Sequence, residues 1–132
     1  MKKIILREQI EDLYHDILIN LDIDQIPKYF ADDYIQTTDH KTSDIQEFKN
    51  HLFRLKQIVN RLSITHFKTM LIDENQNIVY LKYDVLVDKK DGFIGKVEVF
   101  AEFIFNKEGK VKLCNELTHP YEAELKGIGS IS

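Results

Sequence analysis

The stretch Lys28-Tyr29-Phe30-Ala31-Asp32-Asp33-Tyr34-Ile35-Gln36 constrains the fold most, because an amphipathic helical segment here runs into a strand with no loop between them. Upstream, Leu6, Ile10, Leu13, Tyr14, Ile17, Leu18 and Leu21 recur at helical spacing, opposite Arg7, Glu8, Glu11, Asp12 and Asp16. A first helix is therefore predicted over Leu6–Leu21. Asp22 and Asp24 end it and are placed to cap a short second helix with Pro27 in an early turn, where a missing N–H costs little. Tyr34–Thr38 is β-branched and aromatic and reads as a short strand, closed by the polar turn Asp39-His40-Lys41-Thr42.

Ser43, followed three residues later by Gln46, forms a capping-box pattern ahead of Ile45, Phe48, Leu52, Leu55, Ile58, Val59 and Leu62. This predicts a second long helix. Beyond it the apolar period becomes two, giving four strands at Ile64–Ile72, Ile78–Asp88, Phe93–Phe105 and Val111–Thr118. Their connections suit hairpins: a polar run at 73–77, the pair Asp91-Gly92, and Asn106-Lys107-Glu108-Gly109. Helices first and strands afterwards make an α+β domain with helices on one face of an antiparallel sheet. On the strand Phe93–Phe105, Val97, Val99, Ala101, Phe103 and Phe105 share one face. Phe100 and Ile104 lie on the other and need cover, which a homodimer through the outer sheet face would supply.

Composition narrows the classes of function. With 132 residues, 43% of them hydrophobic, the chain is expected to be one domain over residues 1–132, with a loosely held tail from about Glu122. A net charge of −4 with scattered lysines offers no basic stripe, so nucleic acid is not an expected partner. Cys114 stands alone, which excludes an intramolecular disulfide and fits a reducing compartment, here the cytoplasm. The opening Met1-Lys2-Lys3-Ile4-Ile5-Leu6 is interrupted by acids before an apolar core forms, so neither an export signal nor a membrane anchor is expected. The five histidines include no pair at i, i+4, so no metal is expected. Neither a phosphate-cradling glycine loop nor a serine elbow is present, and no cofactor is implied.

This order of elements, with the F-A-D-D step at Phe30–Asp33, resembles the nuclear transport factor 2-like, or SnoaL-like, proteins. The resemblance implies a cone-shaped, curved antiparallel sheet, a cystatin-like roll, with helices on the concave face around a blind pocket. Tyr14 to Thr38 can be laid on the ketosteroid isomerase branch without a gap. That likeness makes Tyr14 a hydrogen-bond donor to an enolate oxygen. The branch's carboxylate, however, falls at Thr38 and its second acid at Ala101, before Phe103 and Phe105. Asp39, one residue along, would point to the other face of a strand. Tyr34-Ile35-Gln36 is similar to SnoaL-like cyclases, but Thr37 stands where many relatives have histidine, and their acid would fall near Thr118 or His119. Asn115-Glu116-Leu117-Thr118 and Gly129-Ser130 resemble uncharacterised SnoaL-like proteins, which bring no activity with them.

Glu116 is the candidate acid or base. The ungapped comparison places it on the pocket side with Cys114 and Thr118, where an apolar cleft would raise its pKa. Simple alternation from Val111 through Leu113 to Leu117 instead points it outward. Tyr34, Gln36 and Thr38 share a face and offer hydrogen bonds to a ligand, with Ala101 and Phe103 as further pocket residues. His51 and His66 are placed as a proton-handling pair beside Glu116. Two functions follow. One is a cofactor-free isomerase, lyase or cyclase acting on a compact apolar carbonyl or hydroxyl compound through Glu116 and Tyr14. The other is a non-catalytic dimeric binding or adaptor module whose pocket is filled by its own side chains, with a volume under roughly 300 Å³.

Overall fold

The computed structural model describes residues 1–122, so the expected loose tail and the Gly129-Ser130 likeness lie outside the described residues. The chain begins with α1 (Lys3–Leu13), which passes without a break into a wider π-helical segment, Tyr14–Ile19. A 3₁₀ turn (Ile23–Gln25) and the short α2 (Ile26–Tyr29) lead directly into β1 (Phe30–Thr38). Then follow β2 (Lys41–Asp44), α3 (Ile45–Ile58), β3 (Val59–Ser63), β4 (Phe67–Asp73), β5 (Ile78–Lys89), β6 (Ile94–Phe105) and β7 (Val111–Pro120). The strands form one curved sheet in the order β2-β1-β7-β6-β5-β3, with β4 sharing the same edge of β5 as β3. Leu6, Ile10 and Leu13 of α1 and Phe48, Leu52 and Leu55 of α3 join the inward faces of β5 and β6 in one core. Among the described residues no helix is long and apolar enough to cross a membrane.

Several expectations are corrected. The sheet is mixed, because β7 returns beside β1 and runs parallel to it. Two short strands, β2 and β3, were not foreseen. The helix predicted to reach Leu62 stops at Ile58, and Val59 turns extended and opens β3. Val59 and Leu62 are three residues apart yet both buried, which imitates a helical period. A register shift against β5 between Val59 and Arg61 brings them to one face of a strand instead. The cap of α3 is Asp44 rather than Ser43: its carboxylate accepts from the Glu47 N–H at 2.9 Å, and Glu47 accepts from the Asp44 N–H at 3.2 Å. Asp22 and Asp24 make no side-chain cap.

The F-A-D-D step is itself an irregularity. Phe30 faces Val111 and Ile35 faces Leu113, so five steps along β1 match only two along β7. Asp32 and Asp33 bulge into solvent while Phe30, Ala31 and Tyr34 stay buried, and the strand bends around the core. Asp39 and His40 take consecutive left-handed backbone angles, φ 50° and 68°, which close the β1–β2 hairpin in two residues.

Asp44→Ala removes the side-chain half of the capping box, the acceptor of the Glu47 N–H, and leaves the backbone N–H from which Glu47 accepts. We expect a loss of about 1 kcal/mol of unfolding free energy in a urea titration, with the denaturant slope unchanged.

Candidate functional site

A cavity of about 110 Å³ opens between the helices and the sheet. Its wall is mostly apolar: Leu13, Ile17 and Leu18 from the first helix, Phe48, Leu52 and Leu55 from α3, and valines of β5 and β6. Besides His51 of α3, the polar groups come from three places, each positioned by a local feature of the backbone.

The first is β7. Phe105 pairs with Val111 and Ile104 with Leu113, so one step along β6 spans two along β7 and Lys112 is the extra residue. This bulge reverses the alternation, so Cys114, Glu116 and Thr118 all border the cavity and Leu117 is exposed. Of the two orientations open for Glu116, the inward one is found. Glu116 keeps part of its surface open where it borders the cavity. Burial pushes its carboxyl up to about 7; the Thr38 hydrogen bond pulls it down, and the charge of Asp39 pushes it up further.

The second is β1, parallel to β7 at this point. Tyr34 Oη donates to Gln36 Oε1 at 2.7 Å, and Gln36 Nε2 donates to Thr38 Oγ1 at 2.9 Å. Thr38 Oγ1 then donates to Glu116 Oε1 at 2.8 Å, where Gln36 Nε2 also reaches at 3.4 Å. The ladder has a direction, each rung donating toward the carboxylate. Its far end is fixed by Asp39. The Thr118 N–H donates to Asp39 Oδ1 at 2.7 Å, the Thr118 hydroxyl donates to Asp39 Oδ2, and the Asp39 N–H donates to the Glu116 carbonyl at 3.0 Å. Asp39 therefore lies in the turn, binding β7 to β1, and does not take a strand position facing the cavity.

The third is the π-helical segment. The Asn20 N–H bonds the His15 carbonyl, five residues back, at 3.0 Å, and the Asp16 carboxylate accepts from the Tyr29 hydroxyl, tying this turn to α2. Tyr14, at its start, meets Tyr83 of β5 with the two hydroxyl oxygens 2.7 Å apart. Two hydroxyls share one hydrogen between them, leaving the other hydrogen to donate elsewhere. Burial raises the pKa of both phenols well above the ordinary tyrosine value, so they remain neutral donors. Phe67 and Phe103 pack edge-on against the Tyr14 ring.

Tyr14, Tyr34, Gln36, His51, Phe103, Cys114, Glu116 and Thr118 all border the cavity. The structure places three others elsewhere. Thr38 is fully buried behind Glu116 and reaches the site through its hydrogen bond. Ala101 pairs with Glu116 across β6 and β7 but is buried outside the lining, its methyl too short to pass Val99 and Phe103. His66 is exposed in the link between β3 and β4, away from the cavity, so it forms no pair with His51. Burial raises the Cys114 thiol well above its ordinary pKa, which makes it a poor nucleophile. Among the described residues no three His, Cys, Asp or Glu side chains gather as a metal site. Tyr83 escaped the sequence reading, although it falls on the period-two buried face of Val79, Leu81, Val85 and Val87.

No family model matches the chain, and no curated protein matches it in sequence. Solved structures do match. AusH from Aspergillus nidulans superposes with a TM-score of 0.77 at 16% identity, over 89% of this chain and 86% of that one. An NTF2-like protein of unknown function from Exiguobacterium sp. 255-15 gives 0.69 at 12% identity, over 86% and 98%. The chain has the nuclear transport factor 2-like fold. AclR, a putative hydroxylase from Streptomyces galilaeus, shares it with a TM-score of 0.76 at 14% identity, over 94% and 80%. The cavity of this NTF2-like chain lies between the concave face of the sheet and the helices, and among the described residues Glu116 is the one carboxylate on its lining.

The raised Glu116 pKa sets a sign for stability. Between about 4.5 and about 7 the folded protein holds a proton that the unfolded chain has lost, so Glu116 makes stability fall as pH rises through that window. Glu116→Gln has no such term. Measured by urea denaturation, the variant should gain about 1–3 kcal/mol on wild type between pH 4 and pH 8, the lower figure allowing for solvent reaching the carboxylate.

Proposed function

We propose that this protein binds a compact, mostly apolar molecule in its cavity and acts on it by acid–base chemistry, with Glu116 as the proton acceptor or donor and Tyr14 as the hydrogen-bond donor. One observation carries the reading: a carboxylate whose pKa is held near neutrality stands at the end of an oriented hydrogen-bond ladder on an otherwise apolar wall. A group that titrates near 7 is present in both protonation states under ordinary conditions and can take a proton and return it. The spare hydrogen of the Tyr14–Tyr83 pair supplies a neutral donor for a carbonyl or hydroxyl oxygen. A structural neighbour described as a putative hydroxylase supports small-molecule chemistry on this fold, and the cavity size limits the substrate to a small ring or short chain. The buried, unpaired Cys114 fits a reducing, cytoplasmic setting.

The cavity volume favours a second reading. At about 110 Å³ it is smaller than the roughly 300 Å³ usual for ligand sites, as expected of a binding or adaptor module that fills its own cone with side chains. In that reading the convex face carries the function. Leu71 of β4, Tyr80 of β5, Phe100 of β6 and Leu117 of β7 are each 41–66% exposed there. Register places Leu71 beside Tyr80 and Phe100 beside Leu117. A two-fold homodimer through this face would cover them under either reading.

Deuterium exchange next to the carbonyl of cyclopentanone, followed by NMR in D₂O, separates the two functions. Acid–base action predicts that wild type accelerates the exchange and that Glu116→Gln loses about 10²-fold or more of that acceleration; equal rates for the two proteins would sink it. For the dimer, Phe100→Glu is expected to move the chain to the monomer position in sedimentation velocity with its thermal midpoint nearly unchanged. A wild-type protein already monomeric at high concentration would dispose of the dimer.

A further inference from the structure

Glu116 borders the cavity without a permanently cationic partner. Among the described residues no Lys or Arg lines the cavity, and the two hydrogen bonds from Thr38 and Gln36 come from neutral donors and both fall on Oε1. Among the described residues, the charge that acts on it is that of Asp39, which has the same sign. Once ionised, Glu116 faces an apolar chamber with no Lys or Arg among the described lining residues to balance its charge, a costly arrangement until something of opposite sign arrives. An anionic ligand would make this worse. The remainder of the wall favours a cation, because six aromatic rings border the same space: Tyr14, Phe30, Tyr34, Phe48, Tyr83 and Phe103. They form two clusters, Phe30–Tyr34–Phe48 and Tyr14–Tyr83–Phe103, with ring centroids 4.6–5.9 Å apart. Aromatic faces attract ammonium groups, and a single carboxylate among them completes a cage of the kind that holds small organic cations.

We propose that the cavity binds a protonated primary amine on a compact hydrocarbon skeleton, with the ammonium on Glu116 and the skeleton against the two ring clusters. This rests on the reading of the cavity as a ligand site and narrows its ligand: the ammonium is carried beside, or in place of, the carbonyl or hydroxyl. The groups that face Glu116 define the pH behaviour. Tyr14 of the π-helical segment, Tyr34 of β1, Tyr83 of β5 and Cys114 of β7 are all pushed upward by burial and stay neutral between pH 5.5 and pH 8. Among the described residues, Asp39 in the β1–β2 turn and His51 of α3 are the other titratable groups near the site. Glu116 ionises within this range, while a simple amine stays protonated throughout it.

The test compares cyclopentylamine with cyclopentanol, which share a carbon skeleton and differ in charge, by NMR titration of the full chain at pH 5.5 and pH 8. At pH 8 the amine is expected to bind about tenfold more tightly than the alcohol, and most of that preference should vanish at pH 5.5. Glu116→Gln should bind the two compounds alike at both pH values. Three results overturn the proposal: equal binding of amine and alcohol by wild type at pH 8, binding of neither, or an amine preference that keeps its pH dependence in Glu116→Gln, which would belong to Asp39 or His51. The first leaves the cavity a ligand site for neutral molecules. The second, joined to a Glu116 carboxyl that titrates near 4.5 by NMR, removes the ligand site as well.

Discussion

The parallel pairing of β1 with β7 brings together two strand ends almost eighty residues apart in the chain, and the ladder that serves Glu116 exists only where they meet. In that register Thr38 lies opposite Glu116 and Gln36 opposite Cys114. The hydroxyl and amide of β1 thus reach a carboxylate that could not otherwise leave water without a full desolvation cost. Asp39 closes the arrangement from below by taking both the N–H and the hydroxyl of Thr118, so that the last turns of the two strands move as one. Two neutral donors on one oxygen make ionised Glu116 tolerable without making it comfortable, which is why its titration is displaced toward neutrality rather than abolished.

The tyrosine side of the cavity works differently. Tyr14 and Tyr83 satisfy each other from a helix and a strand, and their rings, packed edge-on, hold the hydroxyls in place. Ordered aromatic contacts of this sort hold the polar tips of large side chains at little cost in side-chain freedom. Fixed neutral donors and a variable charge share one small chamber, a combination suited to binding that depends on protonation.

Much of the fold was legible because long periodic segments state their own geometry: the helix from Leu6, the long helix through Phe48 and Leu55, and the strands around Val79–Val87 and Val97–Phe105 all lie where their spacing put them. What the sequence hid were places where the chain departs from its own period. Val59 and Leu62 share a face only through a register shift, and Tyr14–Ile19 widens to a π turn that no apolar spacing announces. The parallel β1–β7 edge depends on contacts distant in sequence, and β2 is a four-residue strand of polar residues. The same held at the site. Glu116 was recognisable as a candidate acid, but its direction depended on one extra residue, Lys112, that alternation cannot see. His66 sits just beyond the end of β3, where the strand that would have turned it inward has stopped.

That extra residue has an evolutionary consequence. If the same residues paired with β6 without that bulge, the inward positions of β7 would be Val111, Leu113, Asn115 and Leu117, and the acid would move to the outer surface. A single codon lost between Cys114 and Glu116, with no new bulge to absorb it, would turn Leu117 inward and Glu116 outward, and so exchange a carboxylate-bearing chamber for a greasy one while leaving every helix in place. For a scaffold of this shape, insertions and deletions of one residue are therefore a route to new chemistry that point substitution does not offer, and relatives aligned without regard to the bulge would be read as having lost or gained an acid that has only changed sides.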